Sequence, residues 1–395
     1  MKFCILIIDG ASGLPLPERS NKTSLELAYT PNLDAMAGES TLGLARTVPT
    51  GMVPSSTYAC AWILGYDPRI YYLGRAGIEA RNMGIIVDEG EAVFRCNLVS
   101  VHDGKMRDYS TGHISSEEAQ QLIEAVNQSL GNENIHFYPG VSYRNILKLR
   151  GHEETLLAHC TPPHDIPHKP VNGFMPTGKG NELLRKLMEC SQDVLRDHPV
   201  NIERIARGEA PATMIWLFWG TGRVPEMPPF KQLYGMDSAM TSGVDLLRGL
   251  ARMTGMEVLD IQGVTDSIDN DYRAQAAGAL KALEEKDLVV IHIEATDEAG
   301  HDGAIDDKIE AIQQVDKEVV SRLRTWRPGE LRVLIMPDHA TPIETRTHTD
   351  DLVPFMLCGP GFSSKDTRRF TELEAGKTGL FISEDQNIMK WLLAR

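Results

Sequence analysis

Carboxylate and imidazole side chains recur where apolar segments of this sequence end. Six of them follow three such segments or come a few residues later: Asp9, Asp297, His301, Asp338, His339 and His348. Any one of these residues alone is more often a turn residue or a solvated surface group. Together they form a ligand set that suits Mn²⁺ or Zn²⁺, since such ions take carboxylate and imidazole donors. The set is large enough for two ions.

A serine elsewhere in the chain could supply a nucleophile. Ser56 lies in the segment 54–60, at the start of a predicted helix. There its hydroxyl and the neighbouring backbone N–H groups would point toward an anion. Two-metal sites commonly act on phosphoryl groups, and metal coordination would activate the hydroxyl. The alternative is that Ser56 only caps the helix, which is a common role of serine at this position.

The elements that must position these residues are those of an α/β fold. Short apolar runs typical of buried strands lie at 3–8, 214–218, 257–261, 288–293 and 331–336. Helical patterns lie between them, near 239–254, 271–285 and 305–324. Strands that alternate with helices predict a mostly parallel sheet flanked by helices. The candidate site residues would then meet at the carboxyl ends of its strands.

The stretch from 90 to 205 has a different pattern. Residues 94–101 and 142–149 look like half-buried strands, and helical and loop segments rather than a regular alternation separate them. We therefore expect a smaller α+β domain at 90–205. It would be inserted into a core formed by 1–89 and 206–395.

The composition limits the partners that this chain can have. It has 395 residues and a formal net charge of -15, which argues against a nucleic acid or an anionic membrane surface as the main partner. No apolar run approaches the roughly 20 residues of a membrane span, and Asp9 interrupts the first apolar run too early for a signal peptide. Six scattered cysteines without CxxC spacing predict reduced thiols and a cytoplasmic location. The oligomeric state stays open.

Longer motifs run in a fixed order through nearly the whole chain. They are TPNLD at 30–34, LGYDP at 64–68, YYLGR at 71–75, FRCN at 94–97, HPVN at 198–201, TDEAGH at 296–301 and PDH at 337–339. With these motifs the chain resembles the archaeal-type, cofactor-independent (2,3-bisphosphoglycerate-independent) phosphoglycerate mutases of the alkaline phosphatase superfamily. Segments 161–165, 216–220 and 346–349 resemble a branch that is also proposed to contain homoserine kinases.

The resemblance implies an alkaline-phosphatase-like core with two divalent ions, Mn²⁺ first and Zn²⁺, Co²⁺ or Mg²⁺ as alternatives. One ion would be held by Asp9, Ser56, Asp338 and His339, and the other by Asp297, His301 and His348. It also implies that Ser56 takes the phosphoryl group from 3-phosphoglycerate and returns it to the other hydroxyl of glycerate. That reorientation needs a closed pocket, so the inserted domain would act as a lid.

An acidic protein that binds a small phosphorylated hydroxy acid needs local cations. The candidates for substrate binding are Arg75, Arg95, Arg144 and Arg204, because guanidinium groups bind carboxylate and phosphate through paired hydrogen bonds. For each of them the alternative is a surface salt bridge. Asn97 could contact substrate or cap a loop. His164 and Asp165 could transfer protons or orient substrate, or they could stabilise their loop.

The sequence departs from its relatives near the nucleophile. Related proteins usually have Gly-Ser-Asp where this chain has Ser55-Ser56-Thr57, Asn or His at Cys60, and Lys at Gln275. All seven metal ligands that the resemblance implies are present in this sequence. The departures therefore concern which molecule accepts the phosphoryl group, and not metal binding. Phosphoglycerate mutase is the first hypothesis. An ATP-dependent homoserine kinase, a metal-dependent phosphatase and a metal-binding protein without catalysis are the alternatives.

Overall fold

The computed structural model describes residues 1–71, 74–326, 329–363 and 368–394. Tyr72 and Leu73 of the motif at 71–75 lie outside the described residues. The chain divides into two compact units, one formed by Met1–Tyr72 with Glu226–Arg395 and the other by Leu73–Pro225. The predicted fold class, a mostly parallel α/β core with a second α+β unit, is confirmed.

The described residues form thirteen strands and fifteen α-helices. The strands are β1 Lys2–Ile8, β2 Thr41–Ala45, β3 Glu91–His102, β4 Lys105–Asp108, β5 Ile135–Val141, β6 Arg144–Arg150, β7 Met214–Thr221, β8 Ser238–Thr241, β9 Glu257–Val258, β10 Leu288–Ile293, β11 Leu331–Met336, β12 Val353–Cys358 and β13 Phe381–Ile382. The helices are α1 Ser24–Leu27, α2 Pro31–Ala37, α3 Ser56–Ile63, α4 Arg75–Asn82, α5 Ser116–Leu130, α6 Asn181–Arg196, α7 Pro199–Ala206, α8 Phe230–Tyr234, α9 Asp245–Met253, α10 Tyr272–Glu285, α11 Ala295–Asp302, α12 Ile305–Gln314, α13 Ser321–Thr325, α14 Glu372–Lys377 and α15 Ile388–Leu393. A π-helical segment, Val315–Val320, joins α12 to α13.

The first unit is built on an eight-stranded sheet in the order β13-β2-β12-β11-β1-β10-β8-β9. Strand β1 lies between β10 and β11 and runs parallel to both, whereas β12 runs antiparallel to β11 and β2. Residues 4–8 of β1 are buried, as expected for a central strand covered on both faces. Because Ile8 is paired with Ile293 and Ile7 with Met336, the three strands end side by side. Loops that follow them therefore start at one edge of the sheet.

The second unit contains a five-stranded antiparallel sheet. Strand β3 pairs with β4, β6 and β7, and β5 pairs with β6. The apolar residues of this sheet pack against α5 and α6. No helix in the described parts of the chain has the length and apolar character needed to cross a bilayer.

The structure corrects three sequence-based expectations. The apolar run at 214–218, which we expect in the parallel core sheet, instead lies in β7, which pairs antiparallel with β3 of the second unit. For this reason, and because α4 packs on β3 and β7, the second unit extends beyond the expected 90–205. The helix expected at 239–254 begins at Asp245, and Ser238–Thr241 forms strand β8 instead. An apolar run alone shows that a segment is buried, and it does not show which sheet buries it.

Candidate metal centre

The loops after β1, β10 and β11 bring the predicted ligands of the first unit together. Asp9 follows β1 directly, α11 begins just after β10 and carries Asp297 and His301, and Asp338 and His339 follow β11. Their ligand atoms form two adjacent groups, one around Asp297 and one around Asp9. The groups meet where the rings of His339 and His348 stack, with centroids 4.0 Å apart.

The first group is formed by Asp297, His301 and His348. The Oδ2 atom of Asp297 lies 3.1 Å from Nε2 of His301 and 3.4 Å from Nε2 of His348. The two Nε2 atoms are themselves only 2.9 Å apart. Each Nδ1 lies within hydrogen-bond distance of a backbone carbonyl, that of Arg346 for His301 and that of Pro54 for His348. With Nδ1 protonated on both rings, the facing Nε2 lone pairs repel each other unless a proton or a cation lies between them.

The second group is formed by Asp9, Asp338, His339 and Ser56, and all four are buried. Nε2 of His339 lies 3.5 Å from Oδ1 of Asp9, 3.4 Å from Oδ2 of Asp338 and 3.2 Å from Oγ of Ser56. Oδ1 of Asp9 has no hydrogen-bond partner among the described residues. Two buried carboxylates beside an imidazole, with one carboxylate oxygen that accepts no hydrogen bond, are suitable ligands for a divalent cation.

The pKa shifts in these groups reflect the crowding of buried carboxylates. Burial and the neighbouring Asp338 and Glu294 carboxylates raise the pKa of Asp9 well above its usual range. Burial opposes the charge of Asp297 too, but hydrogen bonds from His301 and His348 hold its pKa well below the usual range. The histidines therefore compensate the charge of Asp297, whereas the protein groups around Asp9 do not fully compensate its charge.

Ser56 is the first residue of α3, and its hydroxyl is not used for capping. Ser55 is the N-cap, and its side chain accepts a hydrogen bond from the Tyr58 N–H at 3.5 Å. The capping alternative for Ser56 is therefore wrong, because the neighbouring serine has that role. The Ser56 hydroxyl instead lies next to His339 at the positive end of the helix.

Sequence reasoning missed His292 and Glu294, which complete a third group with Asp9. Nε2 of His292 lies 2.8 Å from Oδ2 of Asp9, and its Nδ1 lies 3.1 Å from the hydroxyl oxygen of Ser242. Because the Ser242 oxygen also accepts from the Val244 N–H, its proton is available to Nδ1 of His292. His292 can then donate from Nε2 and hold Asp9 in one orientation. A histidine inside an otherwise apolar strand was the available signal.

Further polar contacts fix the loops that carry the ligands. The Thr341 hydroxyl donates to Oδ1 of Asp297. The buried Lys308 ammonium donates to the carbonyls of Thr341 at 2.7 Å and Ser12 at 3.3 Å. Gly10 has a φ of +60°, and a Cβ there would lie 2.3 Å from Oδ1 of Asp297. The turn after β1 therefore requires glycine for both its conformation and its close approach.

Of the four positions at which the sequence departs from the family pattern, Thr57, Cys60 and Gln275 are buried and Ser55 is half-buried. Cys60 lies one turn after Ser56, and its thiol donates to Oδ2 of Asp338 with a sulfur–oxygen distance of 3.6 Å. Burial and the Asp338 carboxylate raise the pKa of Cys60, so it stays a neutral thiol. The Gln275 amide donates to the His292 carbonyl at 2.9 Å and accepts from Asn270 at 2.8 Å. A neutral amide thus occupies the position where the family resemblance leads us to expect a lysine.

In the second unit, three of the four predicted arginines surround one carboxylate. Oε1 of Glu79 accepts from Nε of Arg75 at 3.0 Å and from Nη1 of Arg95 at 3.1 Å. Although burial opposes its charge, Arg95, Arg75 and Arg144 together lower the pKa of Glu79. The Arg75 guanidinium also stacks on Trp219, 4.4 Å from the ring centroid. We name Arg75, Arg95, Arg144 and Glu79 the arginine cluster.

The other candidate site residues of the second unit are His164, Asp165 and Asn97. The His164 ring contacts Trp219, with centroids 5.3 Å apart, and its Nε2 lies 3.9 Å from Asp165. Asn97 is paired with Arg144 across β3 and β6, and its Oδ1 atom is buried without a hydrogen-bond partner among the described residues. Trp219 itself has a φ of +50°, a strained conformation for an aromatic residue.

Arg204 requires a correction. Its guanidinium is buried and donates to the carbonyls of Ala210 and Thr111, both at 2.8 Å, and it forms an ion pair with Glu118. These contacts join α7 to the start of α5 and use the donors that a substrate would need. We therefore withdraw Arg204 from the substrate-binding set and regard it as a structural residue.

Comparison with known proteins gives consistent matches over the whole chain. The model of the 2,3-bisphosphoglycerate-independent phosphoglycerate mutase family matches residues 37–201. A Methanothrix thermoacetophila protein of that name is 44% identical over 397 residues, which covers 100% of both chains. The solved cofactor-independent phosphoglycerate mutase from Thermoplasma acidophilum has a TM-score of 0.64 and 25% identity, with 100% of this chain and 99% of that chain covered. The PH0037 protein from Pyrococcus horikoshii has a TM-score of 0.81 and 28% identity, with 99% and 97% covered.

Proposed function

This chain belongs to the 2,3-bisphosphoglycerate-independent phosphoglycerate mutase family, and on that premise we propose that it interconverts 3-phosphoglycerate and 2-phosphoglycerate. The observation that carries the proposal is the placement of Ser56. Ser56 is the first residue of α3, and its hydroxyl does not cap the helix. The hydroxyl oxygen lies 3.2 Å from Nε2 of His339, among carboxylate and imidazole groups that could bind a metal ion. This is the arrangement that a phosphoryl-accepting serine requires.

Two divalent cations fit the ligand groups of the first unit. Asp297, His301 and His348 would hold one, and Asp9, Asp338 and His339, with the Ser56 oxygen, would hold the other. When bound, such ions stabilise negative charge on the oxygens of a transferring phosphoryl group. We propose Mn²⁺ as the preferred ion, with Zn²⁺, Co²⁺ and Mg²⁺ as alternatives, because the donors are carboxylate and imidazole.

In the first half-reaction, the Ser56 oxygen attacks phosphorus of 3-phosphoglycerate. The bond between phosphorus and the C3 oxygen breaks, and the released glycerate gains the proton that the serine hydroxyl loses. In the second half, the C2 oxygen of glycerate attacks the phosphoserine, and a proton returns to the Ser56 oxygen. The reaction is balanced without water or a nucleotide. The N-terminus of α3 favours the negative charge that gathers at Ser56.

The arginine cluster and Asn97 would bind the substrate's acidic and hydroxyl groups. Arg75 is partly exposed and can offer free N–H donors, whereas Arg95 is buried and fixed. The buried, unpaired Oδ1 atom of Asn97 can accept from a hydroxyl of glycerate. His164 and Asp165 are proposed to orient the substrate or to relay protons. The lid role of the second unit and the cytoplasmic location stay predictions.

A phosphorus NMR time course tests the function directly. The protein is incubated with Mn²⁺ and 3-phosphoglycerate without ATP, and a parallel sample contains homoserine and ATP. Growth of the 2-phosphoglycerate resonance without free phosphate is the expected result, and Ser56→Ala is the matched inactive control. If the only products are phosphohomoserine and ADP in the second sample, the protein is a homoserine kinase and the proposed mutase function is wrong. Release of free phosphate alone would indicate a phosphatase.

A further inference from the structure

The arginine cluster holds a negative charge of its own in the place where an acidic ligand would bind. Glu79 is only 8% exposed, and a single oxygen, Oε1, accepts from both Arg75 and Arg95. The surrounding guanidinium groups lower the pKa of Glu79, so its side chain is ionised near neutral pH. Any acid bound by these arginines must therefore share them with the Glu79 carboxylate.

Charge counting shows what this sharing does. Burial lowers the pKa of Arg95 to about 10, which still leaves it charged near neutral pH, and arginine side chains are otherwise always protonated. Among Arg75, Arg95 and Glu79, the carboxylate therefore cancels one of the two positive charges. Without Glu79, both charges would act on a bound phosphoglycerate.

The arginines do not depend on Glu79 alone for their positions. The Arg75 guanidinium lies 4.4 Å from the centroid of the Trp219 ring. Arg95 lies 5.6 Å from the same ring and 5.8 Å from that of Phe218. These aromatic faces would keep both guanidinium groups in place when the charge on Glu79 is removed.

Two buried polar atoms next to the cluster also point to a ligand. Nε of Arg95 and Oδ1 of Asn97 have no hydrogen-bond partner among the described residues, and both side chains are more than nine-tenths buried. A buried donor and a buried acceptor left unpaired are costly unless a ligand or water satisfies them. The pair matches a hydroxy acid, which offers acceptor oxygens and a donor hydroxyl.

We propose that Glu79 is a built-in counter-ion that weakens the binding of highly charged acids and thereby sets the affinity of this site for its phosphorylated ligand. The inference rests on the proposed function for the identity of that ligand. Without this counter-charge, the guanidinium groups would hold a triply charged product more tightly and release it more slowly. Glu79 repels the ligand in proportion to the ligand's charge and so favours release.

The test is Glu79→Gln, which removes the charge and keeps the geometry. The amide oxygen of glutamine can replace Oε1 and accept both hydrogen bonds. Calorimetric titrations use the full chain with Mn²⁺ and with Ser56→Ala as the common background, so that no turnover occurs. We expect 3-phosphoglycerate to bind about tenfold more tightly and glycerate about twofold more tightly, because the Coulomb energy scales with ligand charge. In the active background, KM for 3-phosphoglycerate should fall.

Two controls separate charge from structure. Glu91→Gln is the matched control, since Glu91 is also buried in the second unit and paired with Lys148 and Arg150, and neither affinity should change. Glu79→Ala is the second variant, and it too should raise the ratio of 3-phosphoglycerate to glycerate affinity about fivefold. An unchanged or lower ratio in both Glu79 variants would overturn the proposal. If the protein does not interconvert phosphoglycerates but the ratio still rises, the proposed function fails and the role of Glu79 stands.

Discussion

Binding of a divalent cation at Asp297, His301 and His348 should expel about one proton near neutral pH. In the metal-free protein, the hydrogen bond and charge of Asp297 outweigh burial and raise the pKa of His301 to about 9. At pH 7.5, His301 is therefore almost fully protonated. Its Nδ1 bonds to the Arg346 carbonyl, so a metal ion can use only Nε2, and the proton must leave.

The sign and size of the pH dependence follow from this shift. Because the folded pKa of His301 lies above the usual histidine value of 6.5, the proton on His301 stabilises the metal-free fold below pH 6.5. That stabilisation is lost as the pH rises through about 9. The full shift corresponds to about 3 kcal/mol, and the partial exposure of His301 reduces it to about 2 kcal/mol. Metal affinity should rise up to about tenfold per pH unit over the same range and level off above it.

Calorimetry in buffers with different ionisation enthalpies measures the released protons. The dependence of the apparent enthalpy on the buffer should show about one more proton released at pH 7.5 than at pH 10 for saturation with Mn²⁺. His301→Ala should abolish this difference in released protons. The protons released by the other ligand groups should be the same in the variant and in the unaltered protein. An identical proton count at the two pH values in the unaltered protein would refute the protonation of His301 in the metal-free state.

Three further predictions concern single residues. Ser56→Ala should abolish phosphoryl transfer and retain both metal ions in elemental analysis, and any retained turnover would exclude the phosphoserine. Asp338→Asn should lower the bound metal from two ions toward one per chain, because it removes a charged ligand of one group; full occupancy would remove Asp338 from the ligand set. Arg204→Met should lower the free energy of unfolding by about 3 kcal/mol in urea titrations, with no change in KM, because it removes the buried guanidinium that donates to the Ala210 and Thr111 carbonyls.

The parallel core and most of its site residues could be predicted from the sequence, for one physical reason. Buried strands in a parallel sheet are unbroken apolar runs, so polar residues that follow them stand out and share one edge. Asp9 and Asp338 are of this kind. His348 follows no strand directly, but it lies close enough after β11 to reach the same edge.

The remaining features depend on tertiary packing that leaves no local signal. His292 is one residue before the end of an apolar strand, where a histidine is usually a core residue. Glu79 has the pattern of a surface residue on α4 until β3 places Arg95 against it. The apolar run of β7 contains no information about which sheet it joins. The order of the strands, and some strands such as β8, could not be predicted from the sequence.

The position of β1 at the centre of the core sheet has a consequence for synthesis. Its two neighbours, β10 and β11, leave the ribosome only after most of the chain has been made, and Asp9 meets His292 across 283 residues. The continuous segment Leu73–Pro225 contains its whole sheet and can form first. Until β10 and β11 arrive, the apolar β1 has both edges open and depends on protection from aggregation. The metal centre is therefore among the last parts of the molecule to form. Binding of a cation there would indicate that the core has finished folding.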